Sequence, residues 1–514
     1  MLDVAGHDTP HVLIVGAGPI GMVMGCELLS MGVDVRIISK ERRRYSPHSR
    51  ATIVWPRILE LLDRTGISEP LVDESHYFDQ MNYYSRKLKI GSVRFDALEG
   101  VQYPFAITSP QWKIEKIIEK RLIDLGGSID YGYQLVGLEQ DREKVSVTIK
   151  DSDGELADWQ YRWVVGADGI KSTVRELLGL KFRGTSLRTR LAITDAEIEG
   201  EMTSSEAGYY FAKGSNMVIA PIGDGVFRIG STIGSESVGE QPGKEFFERR
   251  LAKHVPGSRR LGRMKFSAVF EANIRSAERY KQGRVFLCGD AAHVMSPSGA
   301  QGMNTGLQDV FNLSWKLCGV AKGSLKESIL DTYDSERRHS VSQVSEFSTL
   351  LAHVGLYSSN SAMLLRDCAY MVGTSTGAFQ RYFAPKLAQL DVTYGGSRKY
   401  RSLTQGARVP LQWRTVNGMP VLDREKYTLI LWPGRSYRYA DWASFIKEIG
   451  PKLQHMKQLD TAGRPIGASL RNILPKNPAA IICRPDGHLH LCLDIKEDDL
   501  NAAGTFVRKL KGSL

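Results

Sequence analysis

No stretch limits the fold of this chain as tightly as residues 11–38. His11–Val15 is a short apolar run of strand type, and Gly16-Ala17-Gly18-Pro19-Ile20-Gly21 follows at once. A helical pattern continues through Leu29, and after Gly32 a second apolar run covers Val33–Ile38. A strand–turn–helix–strand unit of about 30 residues with G-x-G-x-x-G in its first turn is a dinucleotide cradle. Gly16 allows the tight turn, Gly18 lets a pyrophosphate approach the backbone, and Gly21 draws helix and strand together. The acid that usually closes such a unit on a ribose is missing: its place falls on Ser39, with Lys40 and Glu41 beyond. Ser39 can bond a ribose hydroxyl, or Glu41 can reach back, and the sequence leaves both open. A competing reading puts Lys40 and Arg42 on the 2′-phosphate of NADP.

Two later stretches repeat the logic of a ligand at the end of a buried strand. In Arg284–Lys316 the run Val285–Cys288 reads as a buried parallel strand, ended by Gly289 and followed by Asp290. A turn-rich loop at Ser296–Gly302 then leads into a helical pattern from about Met303. A carboxylate thus stands at the carboxyl end of a strand with a helix N-terminus behind it, where α/β sheets hold their ligands. Trp163-Val164-Val165-Gly166-Ala167-Asp168-Gly169, with Ser172 and Arg175, is a third such strand; its Asp168 could equally cap the helix that follows.

These residues resemble the fingerprints of the class A flavoprotein monooxygenases, the FAD-dependent aromatic hydroxylases. The match rests on Gly289-Asp290-Ala291-Ala292-His293, Pro297, Gln301-Gly302-Met303-Asn304, Asp309 and Asn312. The resemblance implies that Asp290 binds a ribityl hydroxyl and that the backbone from Gly299 to Asn304 surrounds the pyrimidine side of the flavin. Pro297 would line the flavin near the substrate, and His293 would be structural. Arg50, in Arg50-Ala51-Thr52, would meet the FAD pyrophosphate, and Gln111, before a helix with Ile114, Ile117, Ile118 and Leu122, would contact the cofactor. Asp168 would serve FAD and the approach of the nicotinamide. Gly16, Gly18, Pro19, Gly21, Ser39 and Lys40 complete the expected cofactor set. The chain has no second glycine-rich βαβ unit, so the resident dinucleotide is expected to be FAD, with NAD(P)H as co-substrate. One departure is visible: the family's second glycine before the glutamine is Ala300 here, which costs about 1 kcal/mol if that backbone needs positive φ.

The resemblance also implies the architecture, an α/β fold with three parts. A Rossmann-like FAD-binding domain would cover 1–180 and resume over 275–394 with a helical region. An inserted mixed β-sheet substrate domain would cover 181–274, joined by 78–98, and a thioredoxin-like α/β domain would cover 400–514. The substrate sheet is signalled by Tyr209-Tyr210-Phe211, Met217–Ile222 and Val226–Gly230; Tyr209, Tyr210, Phe211, Met217 and Pro221 are candidates for the pocket wall. Helices are expected over Leu307–Lys322, Ser324–Arg338 and Trp442–Met456. Arg484-Pro485-Asp486-Gly487 resembles the C-terminal domain of the phenol and polyketide hydroxylases, without the C-x-x-C of a thioredoxin.

The implied reaction is hydroxylation of an aromatic or polyketide-like molecule with O2, through a C4a-hydroperoxyflavin. Baeyer–Villiger or epoxidising oxygenation of a larger natural product or antibiotic shares these motifs, as does a flavin-dependent reductase or dehydrogenase. No side chain stands out as a catalytic acid or base. The net charge of +11, from 68 basic and 57 acidic residues, is dispersed and fits an anionic dinucleotide better than nucleic acid. The six cysteines lie at 26, 288, 318, 368, 483 and 492 without a metal-ligand spacing, so no metal is expected. No apolar run approaches the roughly 20 residues of a membrane span, and the start carries no secretory pattern. A cytoplasmic monomer or homodimer is the expectation.

Overall fold

A computed structural model describes residues 11–42, 52–200, 202–234, 239–396, 399–400, 403–409, 422–434, 439–453, 456–460, 476–496, 498–499 and 503–511. The chain divides into two compact units, one of residues 1–98, 103–334 and 341–389, the other of 99–102, 335–340 and 390–514.

The first unit is built on a six-stranded sheet in the order Lys281–Gln282, Val285–Leu287, Trp163–Gly166, Val12–Val15, Val35–Ser39, Ile129–Tyr131. All neighbours are parallel except the first pair. Strands covered on both faces need apolar side chains throughout, and Val12, Leu13, Ile14, Trp163, Val164, Val165, Val285, Phe286 and Leu287 are all fully buried. Val15 pairs with Gly166 and Gly166 with Leu287. That register brings the turns after all three strands side by side. Backbone bonds continue past the strand ends, from Ala167 N–H to Val15 O (2.8 Å) and from Cys288 N–H to Gly166 O (2.9 Å). Three motifs far apart in sequence therefore meet at one edge.

The second layer of this unit is an eight-stranded mixed sheet. Its order is His293–Val294, Arg260–Ala277, Phe182–Glu199, Val226–Thr232, Ser215–Gly223, Glu206–Ala212, Gln80–Ser85, Leu88–Arg94. The pairing of Glu206–Ala212 with Gln80–Ser85 is parallel and the rest are antiparallel. Side chains alternate between its faces. Tyr210, Met217, Ile219, Phe227 and Ile229 point to one side and form a core with Phe246, Phe247 and Leu251 of the helix Lys244–His254. Their neighbours Tyr209, Phe211, Val218, Arg228 and Gly230 point to the other.

The second unit holds a four-stranded sheet in the order Lys457–Asp460, Thr428–Trp432, Ala479–Cys483, Leu489–Asp494. Helices Tyr439–Ile449 and Ala503–Lys511 contribute Trp442, Phe445, Phe506 and Val507 to its core with Leu429, Leu431 and Ile482. Arg484 donates to both carboxylate oxygens of Glu336 (2.7 and 2.9 Å) and to Asp486 (2.7 Å), and all three are largely buried.

Two helix boundaries differ from expectation for local reasons. The expected helix over Ser324–Arg338 is instead a short turn at Glu327–Asp331 followed by a helix over Thr332–Gly355. Gly323 takes a left-handed conformation (φ +69°) that ends the preceding helix. The helix expected over Trp442–Met456 begins at Tyr439 and stops at Ile449, just before Gly450-Pro451.

His254, at the end of its helix, is almost fully buried; its Nδ1 lies 2.8 Å from Arg250 O and its Nε2 3.1 Å from Ser215 Oγ. Burial, helped by the nearby Lys253 and Arg250 charges, pulls its pKa down to about 4. The unfolded imidazole accepts a proton near pH 6.5, so this group's contribution is intact above pH 6.5 and is lost as pH falls from 6.5 towards 4. Denaturant unfolding across that window should show stability falling with pH, and His254→Gln should flatten the slope; an unchanged slope in the variant would contradict the assignment.

Candidate active site

The edge where the three turns meet opens into a cavity of about 620 Å³ between the two sheets. At one end it is lined by Gly18, Pro19 and Ile20, at the start of the helix Pro19–Ser30. Gly16 holds φ +110°, and a Cβ there would stand 2.4 Å from Ala167 O. A Cβ on Gly18 would meet nothing within 4 Å, so the space above that backbone is open to a ligand. Gly21 does not face the cavity: a Cβ there would lie 1.9 Å from Gly16 O, so only glycine lets helix and turn pack this closely. The helix has no acid in its first turn and no side-chain cap, which leaves its positive end for an anion.

Further in, Gly289 and Asp290 line the cavity from the turn after Val285–Leu287, with Asp290 exposed. Gly289 holds φ +59°. Its N–H donates to Asp309 Oδ2 (2.8 Å), and His293 Nε2 lies 2.7 Å from the same oxygen. Asp309 is completely buried and His293 nearly so; together they fix the turn that presents Asp290. His293 is thus a structural side chain outside the cavity wall.

The loop Ser296–Gln301 and the start of the helix Gly302–Ala321 form the adjoining wall, with Pro297, Gly299, Gln301, Gly302 and Met303 lining it. Trp55 Nε1–H donates to Gly299 O (3.0 Å), and Asn304 Nδ2–H donates to Ala300 O and Ile53 O (both 2.9 Å). Asn304 Oδ1 accepts from Trp55 N–H (2.9 Å). The amide of Asn304 therefore serves the protein, as a clamp between strand Ile53–Val54 and the loop, and does not line the cavity. Gln301 likewise donates to Gly299 O (2.8 Å) and Leu387 O (3.1 Å) and accepts from Gln389 (2.5 Å). This helix too lacks a side-chain cap and an acid in its first turn.

Other expected residues fall elsewhere. Gln111 lines the cavity and donates to Glu115 (2.8 Å). Asp168 does not line it: its carboxylate accepts from Ser172 Oγ (2.5 Å) and Val174 N–H (3.1 Å), so it braces the start of the helix Thr173–Leu177. Burial raises its pKa, and the hydrogen bonds from Ser172 and the helix backbone oppose the rise. Ser39 ends its strand nearly buried and accepts from Glu41 N–H (3.3 Å), and Lys40 is exposed; none of these three lines the cavity. Arg50 lies outside the described residues.

The inner wall is aromatic and apolar. Tyr83, Tyr209, Phe211 and Tyr370 line it together with Ile193, Val218, Ala220 and Leu351. Tyr210 and Met217, expected in this wall, belong to the core behind the sheet because two-residue alternation sends them to the opposite face. Pro221 is also absent from it; its carbonyl accepts from Thr108 Oγ1 near the end of its strand. Sequence reasoning missed Tyr83, Tyr370 and Arg228. The alternation of Val226–Thr232 could have placed Arg228 opposite the core side chains Phe227 and Ile229.

No described side chain of the inner wall can act as a base near neutral pH. Burial pushes Tyr209 up to about 12, and Tyr83 and Tyr370 rise for the same reason. Arg228 is paired with the buried Asp195 through Nε and through Nη2 (3.0 Å). The described lining residues include no histidine, lysine or cysteine, and its only carboxylates are Asp290 and Glu271. Such a cavity binds, orients and dries a reactant, and reactivity must come from a bound redox group. Fold and site together define a flavoenzyme with a dinucleotide cradle at one end of a reaction chamber.

Comparison with known proteins agrees. The family model for the FAD binding domain matches residues 9–348, and the chain belongs to that family. The 6-methylpretetramide 4-monooxygenase of Streptomyces rimosus is 35% identical over 340 residues, which are 64% of this chain and 59% of that protein. The rifampicin monooxygenase of Streptomyces venezuelae is 33% identical over 340 residues, 65% of this chain and 69% of the relative. Among solved structures, the OxyS anhydrotetracycline hydroxylase from Streptomyces rimosus superposes with a TM-score of 0.75 at 27% identity, covering 96% of this chain and 98% of its own. The chain is an FAD- and NAD(P)H-dependent monooxygenase of the aromatic hydroxylase class. No helix among the described residues is long and apolar enough to cross a membrane.

Ala300 carries φ +53° beside Gly299 at φ +81°. Alanine there stores about 1 kcal/mol that glycine would not. Ala300→Gly should raise the thermal midpoint of the FAD-loaded protein; an unchanged or lower midpoint would show that the loop carries no such strain.

Proposed function

We propose that the chain hydroxylates a planar, polycyclic aromatic substrate of polyketide type, and that the cavity residues divide between cofactor and substrate. The observation that carries this reading is the chamber itself. Four aromatic rings, Tyr83, Tyr209, Phe211 and Tyr370, face its inner part. Tyr83 lies 5.1 Å from Tyr370 and 6.1 Å from Tyr209, and Tyr209 lies 4.9 Å from Phe211, centroid to centroid. Flat rings packed edge and face around a cavity suit a flat, extended aromatic ligand. The substrates named for the relatives, 6-methylpretetramide and rifampicin among them, support the same class.

On the cofactor side, Gly16, Gly18, Pro19 and the N-terminus of the helix Pro19–Ser30 would hold the pyrophosphate. Asp290 would accept a hydrogen bond from a ribityl hydroxyl. Pro297, Gly299 and the backbone through Met303 would surround the flavin ring, with Gln111 across from them. The N-terminus of the helix Gly302–Ala321 would favour negative charge on the reduced ring. Bound FAD supplies the redox chemistry, taking reducing equivalents from NAD(P)H and activating O2 for transfer to the ring carbon. The chain's own part is to orient the substrate and to exclude water with Ile193, Val218 and Leu351.

For the second unit, a thioredoxin-like reading fits the order of a strand, a helix, a parallel strand, then two antiparallel strands and a closing helix. Burial raises the Cys483 thiol far above its ordinary range, so this unit would support the fold without thiol chemistry.

Asp290→Ala should weaken FAD binding by about 2 kcal/mol, some 30-fold, as expected for loss of a charged acceptor. Gly18→Val should abolish FAD retention while the apoprotein stays folded, because the added side chain enters open space. Full cofactor content in both purified variants would contradict the cofactor assignment. With wild-type enzyme, polycyclic phenols or hydroxyquinones should stimulate NAD(P)H oxidation and yield products one oxygen atom heavier. Stimulation by monocyclic phenols alone would contradict the substrate class.

A further inference from the structure

Within the aromatic wall stands a polar side chain whose hydrogen-bonding capacity no described residue uses. Asn216, on the strand Ser215–Gly223, is only 7% exposed and lines the cavity. Its backbone is fully engaged: the N–H donates to Thr232 Oγ1 (3.0 Å), and the carbonyl accepts from Ser231 Oγ (3.1 Å). No described residue hydrogen-bonds its side-chain amide. The amide is not among the fully enclosed side-chain groups, so it opens onto the cavity, where a ligand can meet it.

The surroundings show why the amide is available to a ligand. A side niche of about 10 Å³, room for about one water-sized group, is bounded by Asn216, Thr232, Ser296 and Ser298 and shares Pro297 with the main cavity. The niche's other polar groups are already engaged. Thr232 Oγ1 bonds the Asn216 backbone, and Ser296 Oγ accepts from Ser298 N–H (3.3 Å). Space for the amide is made by Gly355, the last residue of the helix Thr332–Gly355: a Cβ there would stand 2.4 Å from Asn216 Nδ2 and 3.1 Å from the Tyr209 hydroxyl.

We infer that Asn216 is a specificity-determining residue that reads an adjacent hydroxyl–carbonyl pair on the substrate's ring system. A primary amide presents one donor and one acceptor edge. In either orientation those edges match a carbonyl and a hydroxyl held side by side, as on a hydroxyquinone or an enolised β-diketone, and not a bare or alkylated ring. This rests on the proposed polycyclic substrate class and sharpens it. Its position beside Pro297, at the junction of the two parts of the cavity, would anchor one oxygenated edge of the substrate and so fix which carbon faces the cofactor. A site that must hydrogen-bond its ligand discriminates strongly against analogues lacking the partner groups.

The test titrates FAD-loaded enzyme with 1,8-dihydroxyanthraquinone, 1,8-dimethoxyanthraquinone and unsubstituted anthraquinone, reading the change in flavin absorbance. Wild type should bind the dihydroxy compound at least tenfold more tightly than either other quinone. Asn216→Leu should bring the three within about twofold while retaining FAD and the affinity for anthraquinone. Gly355→Ala, which pushes a methyl group against the amide, should shrink the preference in the same direction; it decides the matter if Asn216→Leu loses its flavin. A preference unchanged in the variants, or absent from the wild type, overturns the role of Asn216. Wild type that holds FAD but binds none of the three overturns the polycyclic substrate class, and the role of Asn216 with it.

Discussion

Ile20 is the contact on which the site depends. It lies one residue past the start of the first helix, and a Cβ on Gly289 would meet it at 2.9 Å. A Cβ on Gly306 would stand 2.9 Å from the same side chain and 2.9 Å from the Gly289 Cα. Two glycines and one isoleucine thus let the helices Pro19–Ser30 and Gly302–Ala321 close on a single turn from opposite sides. Close-packed interiors transmit a change of even one methylene. Widening this contact would separate the nucleotide cradle from Asp290 and from the second helix N-terminus. Buried polar groups hold the same arrangement further out: Ser314 on one helix donates to Glu27 on the other (3.2 Å), and both are fully buried.

The consequence is a division of labour. Electrostatics are concentrated where a charged ligand would sit, at two helix ends without acids in their first turns and at the carboxylate of Asp290. The aromatic inner wall is electrically quiet, and apart from Asp290 the one other carboxylate among the described lining residues is Glu271. Arg228 is neutralised by Asp195, a pair set by their direct opposition across neighbouring strands, and the tyrosines stay protonated because burial disfavours the phenolate. An apolar, dry inner wall suits oxygen transfer from a bound flavin. It also makes the Asn216 amide, which no described residue hydrogen-bonds, chemically conspicuous.

Much of this was legible in the sequence wherever a local rule decided the outcome. The Gly16–Gly21 turn, the strand ending at Leu287 and the acid after Gly289 depend on backbone conformation and close approach, and those needs leave glycine and acid signatures. The positive φ at Ala300 was foreseeable because a glycine is replaced where the loop must turn. What the sequence did not reveal was direction across a sheet. Tyr209, Tyr210 and Phe211 look alike as a string, yet alternation buries Tyr210 and exposes its neighbours to the chamber. The Asn304 amide ties together the loop whose backbone was expected around the flavin, and Asp168 caps the helix after it, the alternative the sequence had left open. A polar side chain near a site can serve either purpose, and only its partners tell which. Asn216 gave no signal, because what sets it apart is that no described residue hydrogen-bonds its amide.

The central claim is that the Gly18 cradle, Asp290 and the N-terminus of the Gly302 helix act together on one flavin dinucleotide, whose redox ring lies in the chamber. Calorimetric titration of apoprotein with FAD and with FMN tests it directly. The account predicts one FAD per chain, with FMN bound at least a hundredfold more weakly because it cannot reach the nucleotide cradle. Equal affinity for the two flavins, or no binding of either, would contradict it.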